Sequence, residues 1–325
     1  MSITLTAVTI EQLKTKWPEL QKTLQVPHPF VTAEWLQAWW ESFGGEDDLF
    51  MGEVADNNVT IGIAPLRIHE EVARFVGSAD VCDYLDFLIK SGAENDFFGV
   101  LLGELKARGV KTLELESIRP DSTVLKYLAP LARSKGFAVD IGDADVTLEM
   151  PLPSTWDVYL SSLATHQRHE TGRKMRRLEE AGNIRFDITI HDDVNEELSK
   201  LIRLLRISRS DKAEFMSEKM ESYFKTLASA MKGAGLLRFG HLRLDETIVA
   251  SVMCFDYNET RYLYNSGYDP QYSTLSVGLL SKLYSIKDAI EHKMRRYDFL
   301  KGAETYKYHL GGIEKPITRV RIELT

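Results

Sequence analysis

Hydrophobic and polar residues follow the same order of patterns twice along the chain. Residues 49–68 form two β-type runs around a polar turn at 56–58. Residues 236–255 form two more around a polar turn at 245–246. Each pair of runs predicts a β-hairpin, so the chain should contain one hairpin in each half.

The elements that follow each hairpin also match. In both halves a strand leads into a polar loop, the loop enters a helix with apolar residues at helical spacing, and a further strand follows. In the first half the strand with its loop occupies 73–89, the helix 96–109 and the last strand 110–118. In the second half the same elements occupy 260–276, 277–293 and 294–302. The repeat predicts a duplicated α+β unit, with chance similarity between two short units as the alternative.

Two prolines mark the boundary between the copies. Pro151 and Pro153 interrupt regular structure just before a helical segment, residues 152–184, that opens the second copy. We therefore predict two domains, 1–150 and 151–325. A length of 325 residues also favours two domains over one core.

Composition and charge narrow the function classes. The hydrophobic fraction of 44% together with 27% charged residues is typical of a globular protein and argues against disorder. The net charge of −8 gives no overall attraction to nucleic acid or to an anionic membrane, so we expect no DNA partner. Any site for an anion must be a local one.

Several features favour a cytoplasmic protein. The first residues lack a basic segment followed by a long apolar one, so we expect no secretory signal. No run of about 20 apolar residues occurs, so we expect no membrane span. Cys82 and Cys254 lie far apart in the sequence, and Cys254 ends an apolar run. This pattern predicts that Cys254 is a small core residue of a protein in a reducing compartment. No His/Cys/Asp cluster has metal-ligand spacing, so we expect no metal.

The loop "YDPQYSTLSVGLL" is the strongest local signal for a ligand site. It turns at Asp269-Pro270 and leads into a helix whose first N–H groups and positive dipole end suit a pyrophosphate. The residues predicted to bind it are Ser273, Thr274, Leu275, Ser276, Val277 and Gly278. The alternative is that Ser276 is an ordinary N-cap.

The matching loop of the first copy, "SADVCDYLDF", differs in charge. Asp80, Asp83 and Asp86 would repel a diphosphate, so we expect this copy to bind no such ligand. Asp83 and Asp86 would instead suit a cationic amine. The alternative is that all three are solvated loop residues.

The helix "HQRHETGRKMRR" has an apolar side and a basic side. Arg173 and Arg177 lie on the basic side, where they would border a phosphate-bearing ligand. A solvated basic face is the alternative. Aromatic residues are rarely interleaved with these cations, which argues against single-stranded nucleic acid as the ligand.

Four segments in this order, "FVTAEWLQAWWESFGG", "HETGRKMRRLEEAG", "YDPQYSTLSVGLL" and "YDFLKGAETYK", resemble the tandem-GNAT acyltransferases of the CelD type. These proteins are related to the FemAB peptidoglycan aminoacyltransferases. The resemblance implies an α+β fold with two tandem GNAT-like domains, each a mixed, mostly antiparallel sheet flanked by helices. It also implies that the second domain holds the acyl donor and the first lies on the acceptor side.

This sequence departs from the family in two places. The usual donor-loop pattern, Gln/Arg-x-x-Gly-x-Gly/Ala, is matched only at Gly278. The long helical arm of the FemAB enzymes is missing or very short.

The resemblance also assigns roles near the end of the chain. In a GNAT core the strand before the donor loop and the strand at 294–302 splay apart, and the thioester lies in the gap. Asp298 or Glu304 would then take a proton from the acceptor amine, Tyr306 would protonate the leaving thiolate, and Lys307 would hold a phosphate or an oxyanion. A structural carboxylate–lysine pair that closes the sheet end is the alternative.

These expectations combine into one function with two rivals. The resemblance implies direct transfer of an acyl group from acyl-CoA, such as acetyl-CoA, to an amine or hydroxyl in the cleft between the domains. The acceptor would be a small molecule or a precursor of cell-envelope or polysaccharide biosynthesis. The rivals are an aminoacyl-tRNA-dependent peptidoglycan ligase, the only case with a tRNA partner, and a non-catalytic GNAT-fold scaffold.

Overall fold

The computed structural model describes residues 3–190 and 192–325, and the chain divides into two compact units. The first comprises the residues up to Val146 together with Lys315–Thr325, and the second comprises Thr147–Glu314. The division between Val146 and Thr147 lies close to the boundary expected at residue 150.

The first unit is built on a mixed sheet. Its helices and strands are β1 (Ile3–Val8), α1 (Ile10–Thr23), α2 (Ala33–Phe43), β2 (Asp48–Asp56), β3 (Val59–His69), β4 (Val72–Phe75), β5 (Leu88–Ile89), α3 (Glu94–Ala107), β6 (Thr112–Ile118), α4 (Ala129–Ser134) and the start of β7 (Ala138–Pro151). Strands β1, β2, β3, β4 and β6 are neighbours in that order. Their pairs are antiparallel, except that β4 and β6 run parallel.

The second unit repeats this plan. After the end of β7 it contains α5 (Trp156–Ser162), α6 (Thr165–Glu179), β8 (Ile184–Thr189), α7 (Val194–Ser208), α8 (Ser210–Phe215), α9 (Glu218–Gly233), β9 (Leu237–Leu244), β10 (Thr247–Tyr257), β11 (Thr260–Tyr268), α10 (Val277–Glu291), β12 (Arg296–Lys301), α11 (Thr305–His309) and the first residues of β13 (Ile313–Glu323). The strand order is β7, β12, β11, β10, β9, β8. Again one pair, β11 with β12, is parallel and the others are antiparallel. The predicted duplication of a mostly antiparallel α+β unit is confirmed.

Both predicted hairpins are present, and their turns use residues that tolerate a left-handed backbone. Asn57 and Asn58 connect β2 to β3 with φ of 48° and 66°. Asp245, between β9 and β10, has φ of 52°. Asn and Asp adopt this conformation at lower cost than other non-glycine residues, so the polar turns fix the strand register.

The last strand departs from the predicted domain division. Residues 315–325 were expected in the second domain, but β13 pairs antiparallel with β6 of the first unit. Ile317, Val320 and Ile322 are buried there. These apolar side chains complete the core of the first unit, which explains why the chain returns to it.

A buried ion network holds α10 against the sheet of the second unit. The guanidinium of Arg261 on β11 is 2% exposed and pairs with both oxygens of Asp256 on β10, at 2.7 and 2.9 Å. It also donates to the carboxylate of Asp288 on α10, at 2.5 Å. Because these charges satisfy each other away from water, they fix the helix on the strands that it crosses.

Within residues 3–190 and 192–325, no helix is both long and apolar enough to cross a membrane.

Candidate functional site

Strands β11 and β12 separate after a short parallel contact. Their register pairs Thr260 with Arg296, Arg261 with Tyr297 and Tyr262 with Asp298. Beyond Tyr262, β11 continues to Tyr268 without a partner on β12 in this register. A splay therefore opens between two neighbouring strands of the sheet.

The splay has a local cause in β12. The register of β12 against β7 shifts between Asp298 and Lys301, and Leu300 within this bulge has φ of 63°. The carboxylate of Asp298 accepts the N–H of Leu300 at 2.8 Å, which stabilises the bulge. Bulges bend a strand and increase its twist, so β12 turns away from β11 at this point.

The loop after β11 leads directly into α10. Residues Pro270–Leu275 form a 3₁₀ turn, and Asp269 accepts the N–H of Gln271 at 3.0 Å. Ser276 then adopts a left-handed conformation, and its side chain makes no capping hydrogen bond to α10. The first N–H groups of α10 are therefore left without a side-chain cap. This argues against the alternative that Ser276 is an ordinary N-cap.

Gly278 is required by protein packing at the start of α10. A Cβ atom added there would lie 2.8 Å from Cδ1 of Tyr268, the last residue of β11. From the sequence, Gly278 was predicted to belong to the pyrophosphate-binding loop. The structure shows that the close neighbour is the ring of Tyr268 in the same unit.

A cavity of about 410 Å³ lies in the splay. It is lined by Lys174, Ser208, Arg209, Lys212, Ser266, Tyr268, Ser273, Ser276, Val277, Gly278, Leu279, Lys282, Glu304 and Tyr306. Four of these lining residues are basic, and Glu304 is the one lining residue with a carboxylate. The balance of charge suits an anionic ligand despite the negative charge of the whole chain.

Three of the cations come from helices that precede the sheet strands. Lys174 belongs to α6, Arg209 follows α7, and Lys212 belongs to α8. Burial, together with the neighbouring Arg209, lowers the pKa of Lys212 to about 8. Lys212 donates to the carbonyl of Ser266 on β11, so it is fixed at the part of β11 that pairs with β10 but no longer with β12.

Lys282 forms part of the cavity wall from within α10. Its Nζ donates to the carbonyl of Gly278 at 2.7 Å and lies 5.0 Å from the centroid of the Tyr306 ring. The residue is 8% exposed. Burial, reinforced by Lys212, lowers the pKa of Lys282 to about 7, so much of this amine is neutral at neutral pH.

Tyr306 and Glu304, two of the predicted catalytic residues, both border the cavity. Burial raises the pKa of Tyr306 well above its usual value, so its hydroxyl stays protonated. Partial burial opposes ionisation of Glu304, but the hydrogen bond and charge of Lys307 outweigh it, and the pKa of Glu304 is lowered. Glu304 is therefore a weak base at neutral pH.

Lys307 and Asp298 are not among the residues that line this cavity. Lys307 is 3% exposed, and its Nζ donates to the carbonyls of Leu300 and Gly302, both at 3.0 Å, and to that of Lys301. Asp298 is 1% exposed and bonded within the β12 bulge. These contacts favour the structural alternative for both residues, because their polar groups are already used to end the strand.

The basic helix is oriented differently from the prediction. Arg173 and Arg177 are exposed on α6, and Arg173 forms an ion pair with Glu170 at 2.9 Å. The residue of α6 that lines the cavity is Lys174. The predicted helix is thus present, but another of its basic residues reaches the site.

The acidic loop of the first unit packs against the end of β6. The N–H of Leu85 donates to the carbonyl of Ser117 at the end of β6, at 3.0 Å. The hydroxyl of Ser117 donates to the carbonyl of Cys82, at 3.1 Å. Tyr84 and Phe87 of the same loop are buried. The loop itself therefore packs beside the end of the strand that corresponds to β12.

The acidic residues of this loop differ in environment. Asp80 is exposed and Asp83 is half-buried. The carboxylate of Asp86 is buried and accepts the N–H groups of Phe87 and Thr123 at 2.9 and 3.1 Å. Burial raises the pKa of Asp86 to about 6. Asp86 thus has a local structural role through its bond to the N–H of Thr123. An acceptor amine is not needed to explain the burial of Asp86.

Sequence reasoning missed several residues of the cavity. These are Lys174, Ser208, Arg209, Lys212, Ser266, Tyr268, Leu279 and Lys282. Lys282 carried a usable signal: it lies at helical spacing with Gly278, Ile286 and Ala289, where a buried face is expected. A lysine on such a face has its charge desolvated unless a partner or a ligand is present.

Comparisons with known proteins agree with this geometry. Residues 165–308 match the family described as Acetyltransferase (GNAT) domain. No curated protein sequence gives a match. Within the described residues, no group of His, Cys, Asp and Glu side chains could hold a metal ion.

Several solved structures share the fold at low sequence identity. FemX has a TM-score of 0.65 at 12% identity, covering 98% of this chain and 96% of its own. The C-terminal domain of a putative lysylphosphatidylglycerol synthetase from Agrobacterium fabrum has a TM-score of 0.60 at 8% identity, covering 96% and 92%. A tandem GNAT protein from the clavulanic acid biosynthesis pathway has a TM-score of 0.53 at 11% identity, covering 100% and 99%.

These matches confirm the resemblance found in the sequence. Residues 165–308 of the second unit match the GNAT acetyltransferase domain, and the chain shares the α+β fold of FemX and of a tandem GNAT protein.

Proposed function

We propose that this protein is a GNAT-type N-acyltransferase that transfers an acyl group from acyl-CoA to an amine or hydroxyl acceptor. The observation that carries the proposal is the basic cavity in the splay between β11 and β12, at the uncapped start of α10. A thioester needs an opening in the sheet, and its diphosphate needs positive charge and free N–H groups. All of these lie in one unit.

The proposed donor site combines the loop that the sequence predicted with basic residues that the sequence did not indicate. The diphosphate binds at Ser273–Gly278, where the first N–H groups of α10 have no side-chain cap. Lys174, Arg209 and Lys212 supply the positive charge around the cavity. Arg209 is paired with Asp211 at 2.8 Å and Lys174 with Glu170 at 4.0 Å, so part of the charge of both residues is already neutralised.

The proposed reaction is direct transfer within this cavity. The thioester lies in the splay, and the hydroxyl of Tyr306 protonates the leaving thiolate. The raised pKa of Tyr306, caused by burial, supports this role because the residue enters the reaction with its proton. The first unit holds no second donor, since its own loop packs beside the end of β6.

The acceptor class follows from the structural relatives. FemX and a putative lysylphosphatidylglycerol synthetase share the fold, and we propose by analogy an acceptor from cell-envelope or polysaccharide biosynthesis. The acceptor is used on the cytoplasmic side, where acyl-CoA is available.

Calorimetry with acetyl-CoA tests the proposal directly. The wild-type chain should bind acetyl-CoA, and Ser273→Glu should weaken binding because a carboxylate would face the diphosphate. Like charges about 4 Å apart repel by about 4 kcal/mol at an effective dielectric of 20, which is nearly a thousandfold in affinity. Ser273→Ala is the matched control and should bind nearly as well as wild type. Equal affinity in Ser273→Glu would refute the donor site.

Aminoacyl-tRNA is a second candidate donor, and one observation favours it. The exposed side of α6 presents Arg168, Arg173, Arg176 and Arg177 next to the cavity residue Lys174. Such a basic surface is suited to a phosphate backbone. Competition between acetyl-CoA and charged tRNA for the protein separates the two donors. If neither binds, the non-catalytic scaffold is the remaining explanation.

A further inference from the structure

The two carboxylates that the sequence analysis assigned as proton acceptors are poorly suited to that role. Asp298 is 1% exposed and accepts the N–H of Leu300 inside the β12 bulge. Glu304 borders the cavity but pairs with Lys307 at 2.9 Å, and its pKa is lowered. A carboxylate with a lowered pKa takes a proton from an alkylammonium only against a steep gradient. The reaction therefore requires another base in the cavity.

Lys282 has the position that such a base needs. It projects from the first turns of α10 into the cavity wall, between the helix start and the ring of Tyr306. Its contact with the carbonyl of Gly278 uses one N–H and directs the Nζ atom. The lone pair of the neutral amine remains available to a group in the cavity. Lys282 and the proposed proton donor Tyr306 thus lie beside each other.

The charges that face Lys282 come from several elements. Lys212 of α8 and Lys307 of α11 disfavour its charged form, while Glu304 and Cys254 favour it. Lys174 of α6 and Arg209 line the same cavity and add positive charge. Desolvation of the buried amine exceeds these interactions, and the cations outnumber the single ionised carboxylate. Lysine in such surroundings is a recognised type of general base.

We infer that Lys282 is the general base of the acyl transfer, an inference that rests on the proposed function. The acceptor enters as an ammonium ion, and the neutral Nζ of Lys282 takes one proton from it. The free amine attacks the thioester carbonyl carbon, forming the C–N bond. The C–S bond then breaks, and the thiolate takes the proton of the Tyr306 hydroxyl. The extra proton on the new amide nitrogen returns to Tyr306, and Lys282 releases its proton to water. Overall, one ammonium ion and one thioester give one amide, one thiol and one proton.

The test compares two amine probes in variants of Lys282. Ethanolamine is an ammonium ion at neutral pH and needs a base, whereas hydroxylamine is already neutral. With acetyl-CoA as donor, Lys282→Met should lower thiol release with ethanolamine by roughly 10²-fold or more, and with hydroxylamine by much less. Lys282→Arg should behave like Lys282→Met because arginine keeps its proton. Lys287→Met, on an outer face of α10, should match wild type with both amines.

A second readout does not depend on turnover. The ¹³Cε signal of each labelled lysine reports its protonation, and the signal absent from the Lys282→Met spectrum identifies Lys282. This signal should titrate with a midpoint near 7 in the folded chain. A midpoint near the ordinary lysine value would overturn the inference.

The remaining outcomes separate this inference from the proposed function. Loss of acetyl-CoA binding to the wild-type chain, measured by calorimetry, would refute the proposed function and the inference with it. If acetyl-CoA binds to wild type and to Lys282→Met alike, but turnover falls equally for ethanolamine and hydroxylamine, the inference alone fails. A selective loss with ethanolamine at unchanged donor affinity supports it.

Discussion

The Nζ atom of Lys307 lies 2.9 Å from Oε2 of Glu304 and 3.0 Å from the carbonyl oxygens of both Leu300 and Gly302. These carbonyls end β12 at the edge of the cavity. One buried ammonium group thus satisfies the end of a strand, and the exposed carboxylate is its surface partner. The geometry assigns Lys307 to the stability of the site.

This relationship predicts that Lys307→Met destabilises the fold. Removing the ammonium leaves buried carbonyl oxygens without a donor, which should cost about 3 kcal/mol in the free energy of unfolding. Urea denaturation at unchanged m-value would measure it. Glu304→Gln is the control, because an exposed partner contributes at most about 1 kcal/mol. Unchanged stability in Lys307→Met, together with lost turnover, would restore the catalytic assignment.

Gly278 provides a second prediction, because its missing side chain allows Tyr268 to pack on α10. Gly278→Ala should lower stability by about 1–3 kcal/mol, since the new Cβ would lie 2.8 Å from the Tyr268 ring. Gly103→Ala is a matched control in α3, the helix of the first unit that corresponds to α10. A Cβ there meets no atom within 4 Å, so the substitution should stabilise the protein by up to about 1 kcal/mol. Thermal unfolding of both variants would decide; equal shifts would contradict the packing argument.

Local patterns in the sequence were sufficient for much of the fold. The polar turns at Asn57-Asn58 and Asp245 define both hairpins, because they supply the left-handed residues that such turns need. The loop that leads into α10 was recognised as a candidate ligand site because small polar residues precede an apolar helix. Both signals come from residues adjacent in the chain.

The missed features depend on contacts between distant segments. Lys212 reaches the carbonyl of Ser266 only because α8 folds over β11, and no spacing in the sequence indicates that contact. The burial of Lys307 and its bonds to the end of β12 likewise could not be read from the sequence. The return of β13 to β6 links residues about two hundred positions apart, as the pair of Thr318 with Ile118 shows. Local periodicity carries no information on such pairings.

The different loops of the two units predict one donor site per chain. In the first unit Tyr84 and Leu85 pack beside the end of β6 in an acidic loop, whereas the loop of the second unit borders a basic cavity. Calorimetry should give one acetyl-CoA per chain. Asp80→Asn removes an exposed acidic charge from the first-unit loop and should change neither the stoichiometry nor the affinity. Two equivalent sites in wild type would refute the proposed inequality.

The buried amine of Lys282 makes a prediction about pH and stability. Its pKa is about 7 in the folded chain and 10.5 in the unfolded one, so between these values only the unfolded chain holds the proton. Unfolding then takes up a proton, and the free energy of unfolding should rise as the pH increases from about 7 towards 10.5. Below about 7 both states are protonated, and the penalty for burying the charge is fully present.

Lys212 contributes in the same direction from about 8, so the difference between wild type and Lys282→Met isolates Lys282. Urea titrations should show Lys282→Met gaining most over wild type near pH 6 and progressively less above pH 7, where wild type approaches it. A difference that does not vary with pH would show that Lys282 keeps its ordinary pKa in the folded protein.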